Sequence, residues 1–433
     1  MSPPARIGLI LLGAIVVLLA MVGVLTLTRG TPVRMVLAWG DRDGPPTVRD
    51  SLFTRTMELY TGMHIEPDNR VEELLNGNGT YPRLWSDLAT AKQTLTVQMY
   101  YALPSTVADT MQKYLMERAR AKVRVLLLLD AFGSQNLKKK WRDSLRAAGV
   151  EVATLRRLRW YSLHSASDRS HVRAVVVDGR VGYTGGFGLA DYWLGDGRHD
   201  EQWRETNVRF EGPAVAQLQA AFAAAWAEAT GELLTGDLFF PRQTFTTRAG
   251  ATRAGLLFTA PTSGSTPAER FLALSIAAAR KTLYISNSYF VPDDDFRALL
   301  IRAAKRGVDV RILTAGPKTD VKTTWYAGRA RYEELLRNGV RVYEYVPTMM
   351  HAKSMIVDSL WATIGSMNFD NRSLAFNNES NLVTLDSALA AQMHRTFAED
   401  LRYAKEIRLE EFKRRPWTAK MMEKGASLLS RLL

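Results

Sequence analysis

The sequence contains no cysteine among its 433 residues. This absence excludes disulfide bonds, thiolate catalysis and zinc sites with cysteine ligands. No grouping with the spacing of metal ligands is visible either, so we expect neither a metal nor another cofactor. Histidine is scarce, and the six residues are His64, His164, His171, His199, His351 and His394. Histidine-dependent chemistry must therefore come from this small set.

The overall composition is that of a globular, mostly water-soluble protein with an excess of positive charge. Apolar residues make up 46% and charged residues 23%, which argues against disorder and against multiple membrane spans. The length favours two domains. The 57 Lys and Arg against 44 Asp and Glu give a net charge of +13. Such an excess favours an anionic partner, whether nucleic acid, an anionic membrane or a phosphorylated substrate.

An uncharged stretch rich in Ile, Leu and Val covers residues 7–27, close to the ~20 residues that cross a bilayer. We predict a single N-terminal transmembrane helix, with residues 1–35 forming the anchor and its flank. A cleaved secretory signal is the alternative, but no small-residue cleavage site follows the stretch. Arginines after the stretch outnumber those before it (Arg29, Arg34 and Arg42 against Arg6). This asymmetry favours a cytoplasmic position for the body of the protein.

Two parts of the chain repeat the same order of predicted elements. The first part shows a strand at 91–101, a helix ending near residue 121 and a buried strand at 123–129. The second part shows the same order, with a strand at 280–290, a helix at 296–305 and a buried strand at 308–313. Each part then shows a helix that closes on Gly-Val before another strand. This alternation predicts an α/β fold of two α/β/α repeats related by a pseudo-twofold axis. Two unrelated α/β domains are the alternative.

The composition along the chain suggests where these parts begin and end. The first half occupies residues 50–235 and the second half 265–410. A stretch rich in Gly, Pro, Thr and Ser at 231–265 has the character of a linker. A basic C-terminal tail follows at 411–433. It either rests at a lipid interface through Trp417 or packs as a helix on the domain.

Each half contains one His-x-basic-x4-Asp motif. The motif residues are His171, Arg173 and Asp178 in the first half and His351, Lys353 and Asp358 in the second. A strand period of two places the histidine and the basic residue on one face, and Asp followed by Gly or Ser marks a turn. Cleavage of a phosphodiester needs a nucleophile, an acid for the leaving group and fixed positive charge for the oxyanions. Two facing copies of the motif supply all three.

These motifs resemble the signature of the phospholipase D superfamily and, more narrowly, of the bacterial cardiolipin synthases. The resemblance extends from about residue 84 to the C-terminus and includes segments 203–213, 289–292, 365–373 and 377–379. It implies that one histidine attacks phosphorus to form a phosphohistidine while the other protonates the leaving group. By family analogy His171 is the nucleophile. An acceptor alcohol or water then releases the phosphatidyl group.

The resemblance also implies residues that support the two motifs. It assigns Glu205 as the acidic partner of the first imidazole and Glu379 as that of the second, and a carboxylate in this position fixes tautomer and orientation. Ser366 and Asn368 occupy further supporting or substrate-binding positions.

Two residues of the first half depart from the family pattern. Arg173 stands where the family has lysine, and Gly188 stands where the cardiolipin synthases have an asparagine that matches Asn368. Arginine keeps the charge but is longer and planar. The alternative is that the first half has become a structural or binding-only unit.

We therefore expect a phosphatidyltransferase of the bacterial cell membrane with phosphatidylglycerol as substrate and no preference for nucleic acid. Three alternatives stay open: a phospholipase D-type hydrolase, a nucleic-acid phosphodiesterase of the same fold, and a catalytically silent lipid-binding membrane protein. The acceptor, the side of the membrane and the oligomeric state do not follow from the sequence.

Overall fold

A computed structural model describes residues 3–27, 33–37, 45–156, 169–242, 250–262 and 264–430 of the chain. Arg29 and Arg42, which entered the orientation argument above, lie outside these residues.

The secondary structure alternates between helices and strands through most of the chain. The helices are α1 Pro3–Leu27, α2 Ser51–Thr61, α3 Asn76–Thr90, α4 Thr106–Arg120, α5 Lys139–Ala147, α6 Ala214–Thr230, α7 Pro267–Ala278, α8 Asp294–Lys305, α9 Lys322–Arg337, α10 Asn371–Ala375, α11 Ser387–Leu401, α12 Leu409–Lys413 and α13 Trp417–Leu428. The strands are β1 Glu66–Leu75, β2 Thr94–Met99, β3 Arg124–Asp130, β4 Glu151–Leu155, β5 Arg169–Ser170, β6 Ala174–Val177, β7 Val181–Gly185, β8 Thr206–Glu211, β9 Thr252–Thr259, β10 Thr282–Asn287, β11 Asp309–Ala315, β12 Arg341–Tyr345, β13 Lys353–Val357, β14 Trp361–Gly365, β15 Asn377–Leu385 and β16 Ala404–Ile407.

One continuous sheet passes through both halves and repeats its strand order about a central pseudo-twofold axis. The first half runs β4-β3-β2-β6-β7-β8-β1, and the second half runs β12-β11-β10-β13-β14-β15-β9 in the same sense, with β16 at its outer edge. Strands β1 and β9 pair antiparallel at the centre, as a twofold axis between them requires. The predicted α/β architecture of two related halves is therefore confirmed.

Helices cover both faces of this sheet. Helices α3, α4 and α5 bury one face of the first half, and α7 and α8 bury the corresponding face of the second. Helices α6 and α11 pack on the opposite face near the centre. The apolar strands are consequently buried on both sides, as their uninterrupted hydrophobic sequences indicate.

Strand β9 lies inside the stretch that we interpreted as a linker, and that interpretation is wrong for these residues. β9 pairs with β15 over seven residues, and Ala254, Leu256 and Leu257 are buried. Gly255 serves packing, because a Cβ there would collide with the backbone oxygen of His64. β9 is the first strand of the second half and corresponds to β1 of the first.

The two ends of the chain form helices. The N-terminal apolar stretch is helix α1. Among the residues that the structure describes, no helix meets the length and apolarity needed to cross a membrane, so the predicted transmembrane anchor is not supported. At the other end, α13 packs on α9, where the buried carboxylate of Glu423 accepts hydrogen bonds from Arg329 and Arg415. The tail thus packs as a helix on the domain.

Candidate active site

A cavity of about 370 Å³ opens between the two halves. His171, Arg173, His351 and Lys353 all line it, so the structure brings the histidine and the basic residue of both motifs into one site. The reason is topological. The motif strands β6 and β13 run antiparallel to β2 and β10, which places the start of each motif strand beside the carboxyl end of its neighbour. In α/β sheets that end is where ligands bind.

The two motif aspartates lie at the opposite end of these strands. The Asp178 carboxylate accepts the backbone N–H groups of Lys92, Gln93 and Thr94. Asp358 does the same for the residues that precede and begin β10. Several residues of extended chain, roughly 20 Å, separate each aspartate from its histidine. The prediction that they lie in the catalytic site is therefore wrong, and both residues instead tie the motif turn to the start of the adjacent strand.

Each imidazole pairs with the glutamate of the other half, so the pairing that the family resemblance suggested is also wrong. The Nδ1 atom of His171 lies 3.1 Å from the carboxylate of Glu379. The Nδ1 atom of His351 contacts the carboxylate of Glu205. Both glutamates are fully buried. Because Nδ1 is engaged in both rings, Nε2 is the nitrogen left to do chemistry in the cavity.

Backbone pairing between the halves causes this exchange. The His171 N–H donates to the carbonyl of Asn378 at 2.9 Å, and the His351 N–H donates to the carbonyl of Arg204 at 2.7 Å. Each acceptor immediately precedes a glutamate along the chain. The segment that carries one half's histidine therefore runs beside the strand that carries the other half's carboxylate.

Hydroxyl and amide groups hold the glutamate of the second half in place. The Ser366 and Ser373 hydroxyls donate to Glu379 at 2.6 and 2.7 Å. Asn368 lines the cavity and its side-chain oxygen accepts the hydroxyl of Ser288 at 2.8 Å. Ser366 thus supports the carboxylate, while Asn368 borders the space for substrate.

Arg173 and Lys353 bring two buried positive charges to the cavity. Each donates a hydrogen bond to the backbone oxygen of its own motif histidine. The Nε atom of Arg173 is buried and has no hydrogen-bond partner among the described residues. Burial, with Arg173 nearby, lowers the pKa of Lys353 to about 7. Burial thus leaves the ammonium form of Lys353 only weakly favoured near neutral pH.

The same surroundings keep the imidazoles neutral. Burial, followed by the charge of Lys353, lowers the pKa of His351 to about 4. Burial also lowers the pKa of His171, although Glu379 opposes this shift. An anionic group in the cavity would favour protonation of both the lysine and one imidazole, because opposite charges stabilise the charged form. The site is therefore arranged to gain protons when a phosphate enters.

Several cavity residues were not predicted as site residues. Tyr100 stacks obliquely on His171 with ring centroids 4.3 Å apart, and Trp203 lies 4.8 Å from the ring of His351. The Tyr289 hydroxyl donates to Asp320 at 2.8 Å. Asp320 lies in a loop without a motif, so the sequence held no signal for it. Gly188 did hold a signal, because the missing asparagine side chain implied a space that another residue must fill.

The chain is similar to known proteins over most of its length. A family model described as "Cardiolipin synthase, PLD-like domain" matches residues 84–226 and 272–401. The chain is 34% identical over 362 residues to a cardiolipin synthase of Geobacillus kaustophilus, an alignment that covers 83% of this chain and 72% of that protein. It is 32% identical over 387 residues to cardiolipin synthase A of Pseudomonas putida, with 87% and 79% covered.

Solved structures show the same fold at much lower sequence identity. Phosphatidylserine synthase of Haemophilus influenzae superposes with a TM-score of 0.66 at 13% identity and covers 88% of this chain and 100% of its own. Polyphosphate kinase of Porphyromonas gingivalis superposes with a TM-score of 0.52 at 13% identity, over 83% of this chain and 53% of its own. At these identities the likeness concerns the fold alone.

Proposed function

The chain belongs to the cardiolipin synthase family of phospholipase D-like proteins, and we propose that it transfers the phosphatidyl group of phosphatidylglycerol to an alcohol acceptor at the two-histidine cavity. As a member of this family it is a phospholipid phosphatidyltransferase. The observation that carries the proposal is the pair of His–Glu units that face one cavity beside two buried cations.

In the first step His171 acts as the nucleophile. Glu379 engages its Nδ1 atom, so the Nε2 lone pair points to the substrate. A P–N bond forms as the P–O ester bond breaks, and the leaving alkoxide takes a proton from Nε2 of His351. The side chain of His171 is 15% exposed and that of His351 is 8% exposed. The greater access of His171 supports its assignment as the nucleophile.

In the second step the acceptor hydroxyl attacks phosphorus. His351, now neutral, takes the hydroxyl proton as a general base, a new P–O bond forms and the P–N bond breaks. Glu205 holds Nδ1 of His351 through both steps, and this fixes the tautomer that each proton transfer needs. His351 and Glu205 thus act both when the first alcohol leaves and when the second alcohol attacks.

Arg173 and Lys353 stabilise the oxyanions that develop on phosphorus. Both side chains are nearly fully buried, and a charge in a water-poor site interacts more strongly with the transition state than a solvated one. Arginine in the first half therefore keeps the function of the family lysine.

We further propose that the protein works at a membrane surface. Phospholipid substrates reside there, and α1 carries a set of exposed apolar side chains suited to contact with lipid. These are Ile7, Leu9, Ile10, Leu11, Leu12, Ile15, Val16, Val17, Leu18 and Met21.

Incubation of the purified full chain with phosphatidylglycerol vesicles, followed by mass spectrometry of the lipids, tests the function. Cardiolipin and glycerol as products support transfer. Phosphatidic acid would identify a hydrolase, and unchanged lipid would overturn the proposal of an active phosphatidyltransferase. His351→Ala should abolish turnover. The matched control is His394→Ala, since His394 contacts the ring of Tyr284 and does not line the cavity.

A further inference from the structure

The two halves support the glutamates that pair with their imidazoles by different residues. In the second half Ser366 donates to Glu379 at 2.6 Å, and Asn368 fills the space two residues further on. The corresponding positions of the first half are Gly186 and Gly188. The first half therefore lacks both a hydroxyl donor and an asparagine side chain at these two positions.

Trp193 occupies the space that Gly188 leaves, and Glu205 lies against Gly186. A Cβ added at Gly188 would lie 2.7 Å from the Trp193 ring, and one added at Gly186 would collide with the carboxylate of Glu205. The Trp193 side chain thus stands where an asparagine at position 188 would extend. Glycine at position 188 thus leaves the volume that the indole of residue 193 fills.

The indole of Trp193 also supplies a hydrogen bond. Its Nε1–H donates to Glu205 at 3.2 Å, and the ring lies edge-on to His351 with centroids 5.5 Å apart. Trp193 is 2% exposed. It ends a 3-10 turn, Asp191–Trp193, whose first residue accepts hydrogen bonds from the start of α4. The turn is therefore fixed to the first half and holds the indole rigidly.

We propose that Trp193 is a positioning residue that replaces both absent side chains: its N–H orients Glu205 toward His351, and its ring fills the asparagine volume. The inference rests on the proposed function for the role of His351. Trp193 contacts Glu205, and Glu205 contacts Nδ1 of His351. The reacting nitrogen of this imidazole is Nε2, on the other side of the ring.

The physical consequence concerns the basicity of His351. The indole N–H stabilises negative charge on Glu205, so its removal leaves a stronger negative potential at the imidazolium. Trp193→Phe keeps most of the ring volume and removes the donor. The pKa of His351 should rise in this variant by about one pH unit. The limb of the pH–rate profile that reports His351 should shift upward by the same amount. The loss of orientation of Glu205 should also lower kcat about tenfold on the plateau of that profile, with KM unchanged.

The decisive measurement is an NMR titration of the His351 ring in the full chain, in wild type and in Trp193→Phe. Trp361→Phe is the matched control, since Trp361 is a buried indole that does not line the cavity. Its Nε1–H donates a hydrogen bond of 3.1 Å to the hydroxyl of Ser275. An unshifted His351 in Trp193→Phe, or an equal shift in Trp361→Phe, overturns the proposal. The titration needs no turnover, so it decides the role of Trp193 even if wild type proves inactive on lipid and the proposed function fails.

A second set of variants tests the spatial exchange and does not depend on the fold of Trp193→Phe. Gly188→Asn should lose activity at least tenfold, because the new side chain collides with the indole. Combining Gly188→Asn with Trp193→Ala removes the collision and should recover part of that loss. The fold-loss of activity in the double variant could instead equal the product of the fold-losses in the two single variants. Residues 188 and 193 would then not share one space, and the proposed exchange would be overturned.

Discussion

Replacement of Asp178 should destabilise the fold and leave turnover nearly unchanged, although Asp178 belongs to the family motif. Its carboxylate accepts the N–H groups of Lys92, Gln93 and Thr94 at distances between 2.7 and 3.1 Å. Its backbone has φ 53°, in the left-handed region that favours Asp, Asn and Gly. The side chain therefore fastens the β6–β7 turn to the start of β2.

The size of the effect follows from these contacts. Three hydrogen bonds at roughly 1 kcal/mol net each give about 3 kcal/mol, and alanine in the left-handed region costs about 1 kcal/mol more. Asp178→Ala should thus lower the free energy of unfolding by about 4 kcal/mol. Asp178→Asn tolerates the same φ and keeps one acceptor oxygen, so its loss should be about 1–2 kcal/mol.

The assay combines urea unfolding with kcat/KM on phosphatidylglycerol vesicles, measured well below the unfolding transition. Asp143→Asn is the control, because the exposed Asp143 side chain forms a surface ion pair with Arg146 and its replacement should change neither quantity. A loss of kcat/KM of about a hundredfold in Asp178→Asn, at unchanged stability, would refute the structural role and restore a catalytic one.

The remaining predictions concern the charges and histidines of the cavity. Arg173→Met should lower kcat/KM by about 10²–10³, and Arg173→Lys should also lose activity because the shorter side chain misplaces its charge; wild-type rates in the methionine variant would contradict the role of Arg173 in stabilising the oxyanions. Lys353 is cationic below its pKa of about 7 and neutral above it, so kcat/KM should fall as pH rises through that value, and Lys353→Arg should abolish this limb in a pH profile. His171→Ala should abolish turnover while circular dichroism stays unchanged. EDTA should leave the rate unaltered, because no cluster of three or more His, Asp or Glu side chains within the described ranges is placed to hold a metal; rescue by a divalent ion would contradict this.

The elements that sequence alone predicted correctly are those with local causes. Strands β3 and β11 follow from apolar runs, and helices α5 and α9 end near Gly149 and Gly339, whose φ values of 95° and 85° are the left-handed conformations that close a helix. These signals lie within one element and need no knowledge of the rest of the chain.

The features that escaped prediction depend on contacts between distant segments. In the sequence Gly255 is typical of a linker. Only the fold shows that it packs against the backbone of His64. Each glutamate follows its own motif along the chain, and the family resemblance assigned it to the imidazole of that motif, which is the wrong one. The correct partner depends on the parallel register between the segment before one histidine and the strand of the other half, and no local pattern encodes that register.

The exchanged His–Glu pairing also has a consequence for the synthesis of the protein. His171 leaves the ribosome about 200 residues before Glu379, a delay of about 10–40 s at ~5–20 residues per second. During that interval the nascent first half holds a histidine without its carboxylate and a carboxylate without its histidine. Under the proposed two-histidine mechanism, the nascent chain therefore cannot cleave lipid until the second half has been translated and folded beside the first.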